Sequence, residues 1–263
     1  MEDALYSSCM HLLANLIDQY LYFLVHLKGM LTHRFAGMHY GQWAEDVIID
    51  SLTAGKRAGV YVDVGAYHPF HYSNTYLLYR RGWHGINIDP NPSAIMLFNW
   101  HRKRDINLNL GVSDIPGEKK YYLFNHQAYN SFSSSARDSA LKNRHVRQIG
   151  ERMIPCLPLS DIVARHLPDA EIDVLNVDVE GMGMAVLKTV DWDRMRPSVI
   201  CIEDDDFDAS EEGYGSEMYA YLTERSYRLH ARAGASCIYV RDGLISEGNS
   251  VAWKRAEMHT TFT

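Results

Sequence analysis

Tyr61-Val62-Asp63-Val64-Gly65-Ala66-Tyr67 joins a short apolar, β-branched run to an acid and, two positions further on, a glycine. The run predicts a buried strand over Val60–Val64 that ends in a tight turn. Gly65 provides positive φ and lets the backbone approach a ligand closely, with Ala66 and Tyr67 completing the turn. A carboxylate at Asp63 is suited to the cationic amino group of an amino-acid-like ligand. Downstream, Ile86-Asn87-Ile88-Asp89-Pro90 repeats the pattern and places Asp89 24 residues after Gly65, a separation at which a carboxylate meets both hydroxyls of a ribose. Gly65 is followed by Ala66, Tyr67 and His68, so the G-x-G-x-x-G that admits a pyrophosphate is missing and an NAD-type cofactor is disfavoured.

Further apolar runs at 85–88, 106–110, 172–177 and 199–202 alternate with helix-length segments, the pattern of a parallel sheet with helices on both faces. Runs at 227–231 and 237–241 are separated by four residues and predict an antiparallel hairpin, preceded by a helix over 216–225. The polar stretch 125–148 interrupts the alternation and predicts a long loop or loosely helical insert that can close over a ligand at the strand ends. The third strand leads into Gly111-Val112-Ser113-Asp114, a small polar turn with room and hydrogen-bond partners for an adenine; for Ser113 and Asp114 a plain turn is the equal alternative.

Carboxylates gather at the fourth and fifth strand ends, Asp178 and Glu180 on one and Glu203 to Asp206 on the other. Adjacent strands lie ~4.8 Å apart, so these acids face one another if the two strands are neighbours. A cation, a polyhydroxylated substrate or simple solvation would each account for the charge, solvation best for Asp205 and Asp206.

The composition, 46% hydrophobic and 22% charged, is that of a globular chain with little disorder. A formal charge of −7 argues against nucleic acid as a partner. The basic cluster His101-Arg102-Lys103-Arg104 reads as the solvated end of a helix. The four cysteines are dispersed and form neither a zinc motif nor a disulfide framework, which fits a reducing, cytoplasmic location. Met1-Glu2-Asp3 lacks the positive region of a secretory signal. Between Leu12 and Leu27, the polar Asn15, Asp18 and Gln19 speak against a transmembrane segment. Leu13, Leu16, Ile17, Tyr20, Leu21, Leu24 and Leu27 instead make one apolar helical face, for packing on the chain's own domain or for a homodimer, with a membrane surface as the third use. The expected organisation is a helical extension over 1–39, a ligand-binding domain over 40–243 and a tail over 244–263.

The motifs Val62-Asp63-Val64-Gly65-Ala66-Tyr67-His68-Pro69, Ser73-Asn74-Thr75 and Gly82-Trp83-His84-Gly85-Ile86-Asn87-Ile88-Asp89-Pro90-Asn91-Pro92 resemble the FkbM family of S-adenosylmethionine-dependent methyltransferases. So do 173–181, Val186-Leu187-Lys188 and 196–203, the similarity running from about residue 40 to 240. The resemblance implies an α/β fold, the doubly wound, Rossmann-like class I methyltransferase sheet of seven strands in the order 3-2-1-4-5-7-6. It implies S-adenosylmethionine as cofactor and a hydroxyl as the methyl acceptor, carried by a sugar, glycoconjugate or other small molecule. Asp63, Gly65, Ala66, Tyr67 and Ser73 would then serve the methionine end, Asp89 the ribose, and Val112, Ser113 and Asp114 the adenine. The run of three aspartates after Glu203 departs from the single acid and amide of many family members.

A hydroxyl needs its proton removed as it is methylated. Asp178 and Glu180 are the leading base or orienting groups, with His71, just past the cofactor turn, as the histidine candidate. A Mg²⁺ held by Asp178, Glu203 and Asp204 is the metal-assisted alternative. The competing functional class is a non-catalytic member binding a nucleoside or sugar.

Overall fold

The computed structural model describes residues 38–243, together with Tyr20 and Leu24. The chain divides between His39 and Tyr40, and the fold is that of the unit beginning at Tyr40. The apolar helical face read over residues 12–27 and its homodimer contact, like the tail 244–263, lie outside the described residues apart from Tyr20 and Leu24. Among the described residues no helix is long and apolar enough to cross a membrane.

The elements in chain order are α1 (Glu45–Leu52), β1 (Val60–Val64), α2 (Tyr76–Arg80), β2 (His84–Ile88), α3 (Pro92–His101) and β3 (Ile106–Leu108). Then come β4 (Gly111–Val112), β5 (Gly117–Phe124), α4 (Ser134–Ala140), β6 (Gln148–Leu157), α5 (Leu159–His166), β7 (Val174–Val177) and α6 (Gly183–Leu187). β8 (Val199–Glu203), α7 (Glu217–Thr223), β9 (Tyr227–Ala233) and β10 (Ser236–Arg241) follow within the described residues. The main sheet runs β3-β2-β1-β7-β8-β10-β9. This is the class I order 3-2-1-4-5-7-6, with β10 antiparallel to β8 and β9.

The period of two sorts the strand residues onto two faces. Val62, Val64, Leu175, Val177, Ile200 and Ile202 enter the core that α5, α6 and α7 cover with Leu159, Ile162, Val186, Leu187 and Leu222. Tyr61, Val174, Val199 and Cys201 enter the opposite core with Ile49 of α1, Leu78 of α2 and Trp83. Burial on both faces makes the central strands continuous apolar runs, which is why they are legible in the sequence.

A second sheet, β4-β6-β5, was not anticipated. β5 and β6 pair antiparallel, and each passes from an exposed, charged half into a partly buried end, Tyr121, Tyr122 and Phe124 on β5 and Ile154 and Cys156 on β6, so neither is an apolar run over its whole length. The predicted insert 125–148 forms most of the link between them, a short 3₁₀ turn at Gln127–Tyr129 and α4, whose Ser133 cap accepts from the Ala136 amide at 3.2 Å.

The reading of His101-Arg102-Lys103-Arg104 as a solvated helix end needs one correction. Arg102 is completely buried. It donates from Nε to Asp105 at 2.8 Å, from Nη1 to the Pro69 carbonyl at 2.9 Å, and from Nη2 to the Tyr61 hydroxyl at 2.7 Å and Thr75 Oγ1 at 3.0 Å. Tyr61 in turn donates to Asp105 at 2.6 Å. Only a guanidinium has donors enough to satisfy four acceptors at once in that planar fork. A buried arginine with its partners spread over three segments leaves no local signature in the sequence.

Candidate active site

The register aligns Val64 with Ile88 and with Val177, and Val177 with Ile202, so β1, β2, β7 and β8 finish at one rim. β1 is also where the chain order reverses, since its neighbours β2 and β7 were laid down on opposite sides; open α/β sheets bind ligands outside the carboxyl ends at such a point. A cavity of about 340 Å³ lies there. Its floor includes Gly65, Asp89, Asp178, Glu180 and Glu203, and Val112, Tyr121, Asn130 and Phe132 from the second sheet and its insert form the facing wall.

Gly65 is required for two reasons. Its φ is +79°, and a Cβ would fall 1.7 Å from the Asp178 carbonyl oxygen. The close approach therefore includes the end of β7 as well as any ligand. Tyr67, Tyr72, Glu180 and Gly181 also have positive φ, which concentrates backbone constraint around the cavity.

Asp89 lines the cavity while its Oδ2 accepts from the Tyr67 amide at 2.9 Å and its Oδ1 from the Asn91 amide at 2.7 Å. Each oxygen keeps a further lone pair for a ligand hydroxyl. Burial pushes the carboxyl up to about 6, against the pull of those two amides.

Asp63 occupies a different place from the cofactor-binding one that its motif position suggested. It is buried, with Oδ2 accepting from Thr75 Oγ1 at 2.7 Å and Oδ1 from Asn176 Nδ2 at 2.8 Å, and it is absent from the cavity lining. The alternation that sends Val62 and Val64 to one core sends Asp63 to the other face, where it ties β1 to β7. Ser73 is buried beside it, its amide donating to the Tyr40 carbonyl at 3.1 Å, and Ala66 is buried with its amide on the Ile88 carbonyl at 3.1 Å. Tyr67 and Val112 do line the cavity. Ser113 hydrogen-bonds Asp114 at 3.1 Å and Lys119, and neither Ser113 nor Asp114 reaches the lining.

Asp178, Glu180 and Glu203 bring carboxylate oxygens within 4.8 Å of one another. Glu203, whose Oε2 is buried without a hydrogen-bond partner, is pushed up by burial and by the charge of Asp205. Restricted solvation and the charges of Glu203 and Glu180 push Asp178 well up, even though its side chain opens into the cavity. Restricted solvation and the charges of Glu203 and Asp205 push Glu180 up to about 7. Groups that hold a proton near neutrality can exchange one with a bound hydroxyl.

Asp204 does not join them. It is fully buried, its amide donates to the Ala235 carbonyl at 3.0 Å and it accepts from Ser216 Oγ at the start of α7. The carboxylates close enough together to hold a metal are Asp178, Glu180 and Glu203, and not the expected Asp178, Glu203 and Asp204, because consecutive residues at the end of a strand point to opposite faces. Asp205 and Asp206 are exposed, as a solvated loop requires. His71 is exposed, stacks on Tyr72 with ring centroids 3.8 Å apart, and does not line the cavity.

Gln42, Tyr121, Asn130 and Phe132 line the cavity but were not singled out in the sequence. Gln42 is held by a strap in which the Tyr40 amide donates to Asp46 at 2.6 Å and the Trp43 amide to Glu45 at 2.7 Å. The one available signal was the pair of acids in the first turn of α1, where amides need acceptors.

Residues 63–229 match the family model described as Methyltransferase FkbM domain. No curated protein matches the chain.

Proposed function

The chain belongs to the FkbM methyltransferase family, and from that footing we propose that it methylates a hydroxyl oxygen of a sugar, glycoconjugate or other small molecule with S-adenosylmethionine as donor. The observation that carries the reading is the placement of Asp89 and the Asp178, Glu180 and Glu203 carboxylates around one cavity at the strand ends. When bound, the cofactor supplies a methyl group on a positively charged sulfur. Asp89 accepts from the ribose hydroxyls, Gly65 and Tyr67 border the methionine end, and Val112 borders the adenine. The carboxylates of the trio hold the acceptor hydroxyl in line with the methyl group, which provides much of the acceleration. Asp178, with Glu180 beside it, takes the hydroxyl proton as the new oxygen–carbon bond forms. Asp63 serves by fixing Thr75 and Asn176 rather than by touching the cofactor.

The trio also fits the competing metal-assisted form, in which Mg²⁺ at Asp178, Glu180 and Glu203 relieves their repulsion and lowers the hydroxyl pKa. Reversible inhibition by a chelator supports that form, and full turnover in excess chelator leaves the direct-base form. Release of S-adenosylhomocysteine in the presence of a hydroxylated acceptor separates both from a non-catalytic binding protein.

Asp89→Ala is expected to weaken S-adenosylhomocysteine binding by at least about tenfold, since hydrogen bonds to a charged acceptor contribute roughly 1.5–3 kcal/mol each. Wild-type affinity should rise with pH through about 6 as Asp89 ionises and becomes the better acceptor. Calorimetry on the folded variant checks both, and unchanged affinity would displace the ribose from Asp89.

A further inference from the structure

α3 is apolar on both faces, although only one meets the sheet. Ala94, Ile95 and Phe98 are buried, while Met96, Leu97 and Trp100 are 58%, 37% and 74% exposed. At 3.6 residues per turn, Ser93, Met96, Leu97 and Trp100 form one outward stripe roughly 100° wide. The patch continues through Phe70, 38% exposed, whose ring lies 5.5 Å from that of His101 at the end of the helix. Phe70 shares its loop with Tyr72 of the cavity lining.

The charge of this region is opposite to that of the chain. Between Pro69 and Arg104 the single acidic residue is Asp89, which is buried, although the whole chain has a formal charge of −7. Arg80, Lys103 and Arg104 are exposed there, the last two directly after the helix that carries Trp100. Arg104 lies over the Tyr79 ring, 3.9 Å from its centroid, which fixes its cation against α2.

We propose that the outer face of α3 docks on an anionic phospholipid bilayer. Met96, Leu97 and Trp100 enter the boundary between headgroups and acyl chains, where an indole is favoured, and Lys103 and Arg104 meet the lipid phosphates. Nucleic acid would use the cations but leave the apolar stripe in water. A second copy docked two-fold on this face would set like charge against like charge, because an isologous interface apposes the same patch. Docking here brings the loop that links Phe70 to the cavity close to the membrane surface.

The test is co-sedimentation of the full chain with vesicles of phosphatidylcholine containing phosphatidylglycerol, compared with pure phosphatidylcholine. Wild type should pellet with the anionic vesicles and be released by salt. The double substitution Met96→Ser with Trp100→Ser should weaken vesicle binding about tenfold or more, from the apolar area lost, with S-adenosylhomocysteine binding retained as the sign of a folded chain. Lys103→Glu, at an exposed side chain, gives a second reading through charge and should also weaken binding. Absence of vesicle binding by wild type, or equal binding by wild type and the double variant, overturns the proposal. So does a wild-type dimer that the double variant dissolves without any vesicle binding, or retention on duplex DNA in place of vesicles.

Discussion

Asp178→Asn is expected to lower the methyl-transfer rate by about 10²–10⁴-fold, the range over which a positioned general base acts, while S-adenosylmethionine binding stays near wild type. The amide matches the carboxyl in size and still hydrogen-bonds, but it cannot take a proton. A small change in rate would remove Asp178 from the proton path, and parallel loss of cofactor affinity would make its role one of binding. The pH profile provides a second reading. Glu180 is pushed up to about 7, so wild-type rate should climb as pH rises through neutrality and the trio loses its retained proton. The charge of Glu203 raises both Asp178 and Glu180, so Glu203→Gln should move that rising limb to lower pH. A limb that stays in place would separate the titration from this cluster.

Arg102→Met is expected to cost about 3–5 kcal/mol of stability, the range found when one partner of a buried ion pair is removed. Methionine fills much of the volume but leaves Asp105 as an uncompensated buried charge and strips donors from Tyr61, Thr75 and the Pro69 carbonyl. For a domain of this size each kcal/mol moves Tm by roughly 2–4 °C, so Tm should fall on the order of 10 °C. Arg102→Lys should recover only part of this, because an ammonium cannot reproduce the planar fork. Thermal and urea unfolding check both variants, and a loss below about 1 kcal/mol would show that the network contributes little net stability.

Both expectations depend on features of different legibility. The seven strands of the main sheet and their hairpin could be read because burial on both faces requires apolar runs, and runs of that kind are local. Asp89, Asp178, Glu180 and Glu203 could be read for a related reason: where a parallel strand ends, its last residues reach the ligand crevice, so position along the chain already implies position at the rim. β5 and β6 could not, since strands that are charged and exposed over one half and partly buried over the other have no comparable pattern.

The sequence by itself therefore determined the doubly wound architecture, the end of the sheet where the cavity lies and most of the acids that converge there. Only the tertiary structure decided which of those acids face the cavity. Asp63 and Asp204 sit beside residues that enter it, yet both are buried on other partners, because the direction of a side chain at a strand end is set by pleat and by the hydrogen bonds that distant segments offer. The same holds for Arg102: a composition that reads as solvated becomes a buried hub once Tyr61, Pro69, Thr75 and Asp105, up to 41 residues away in the chain, enclose it.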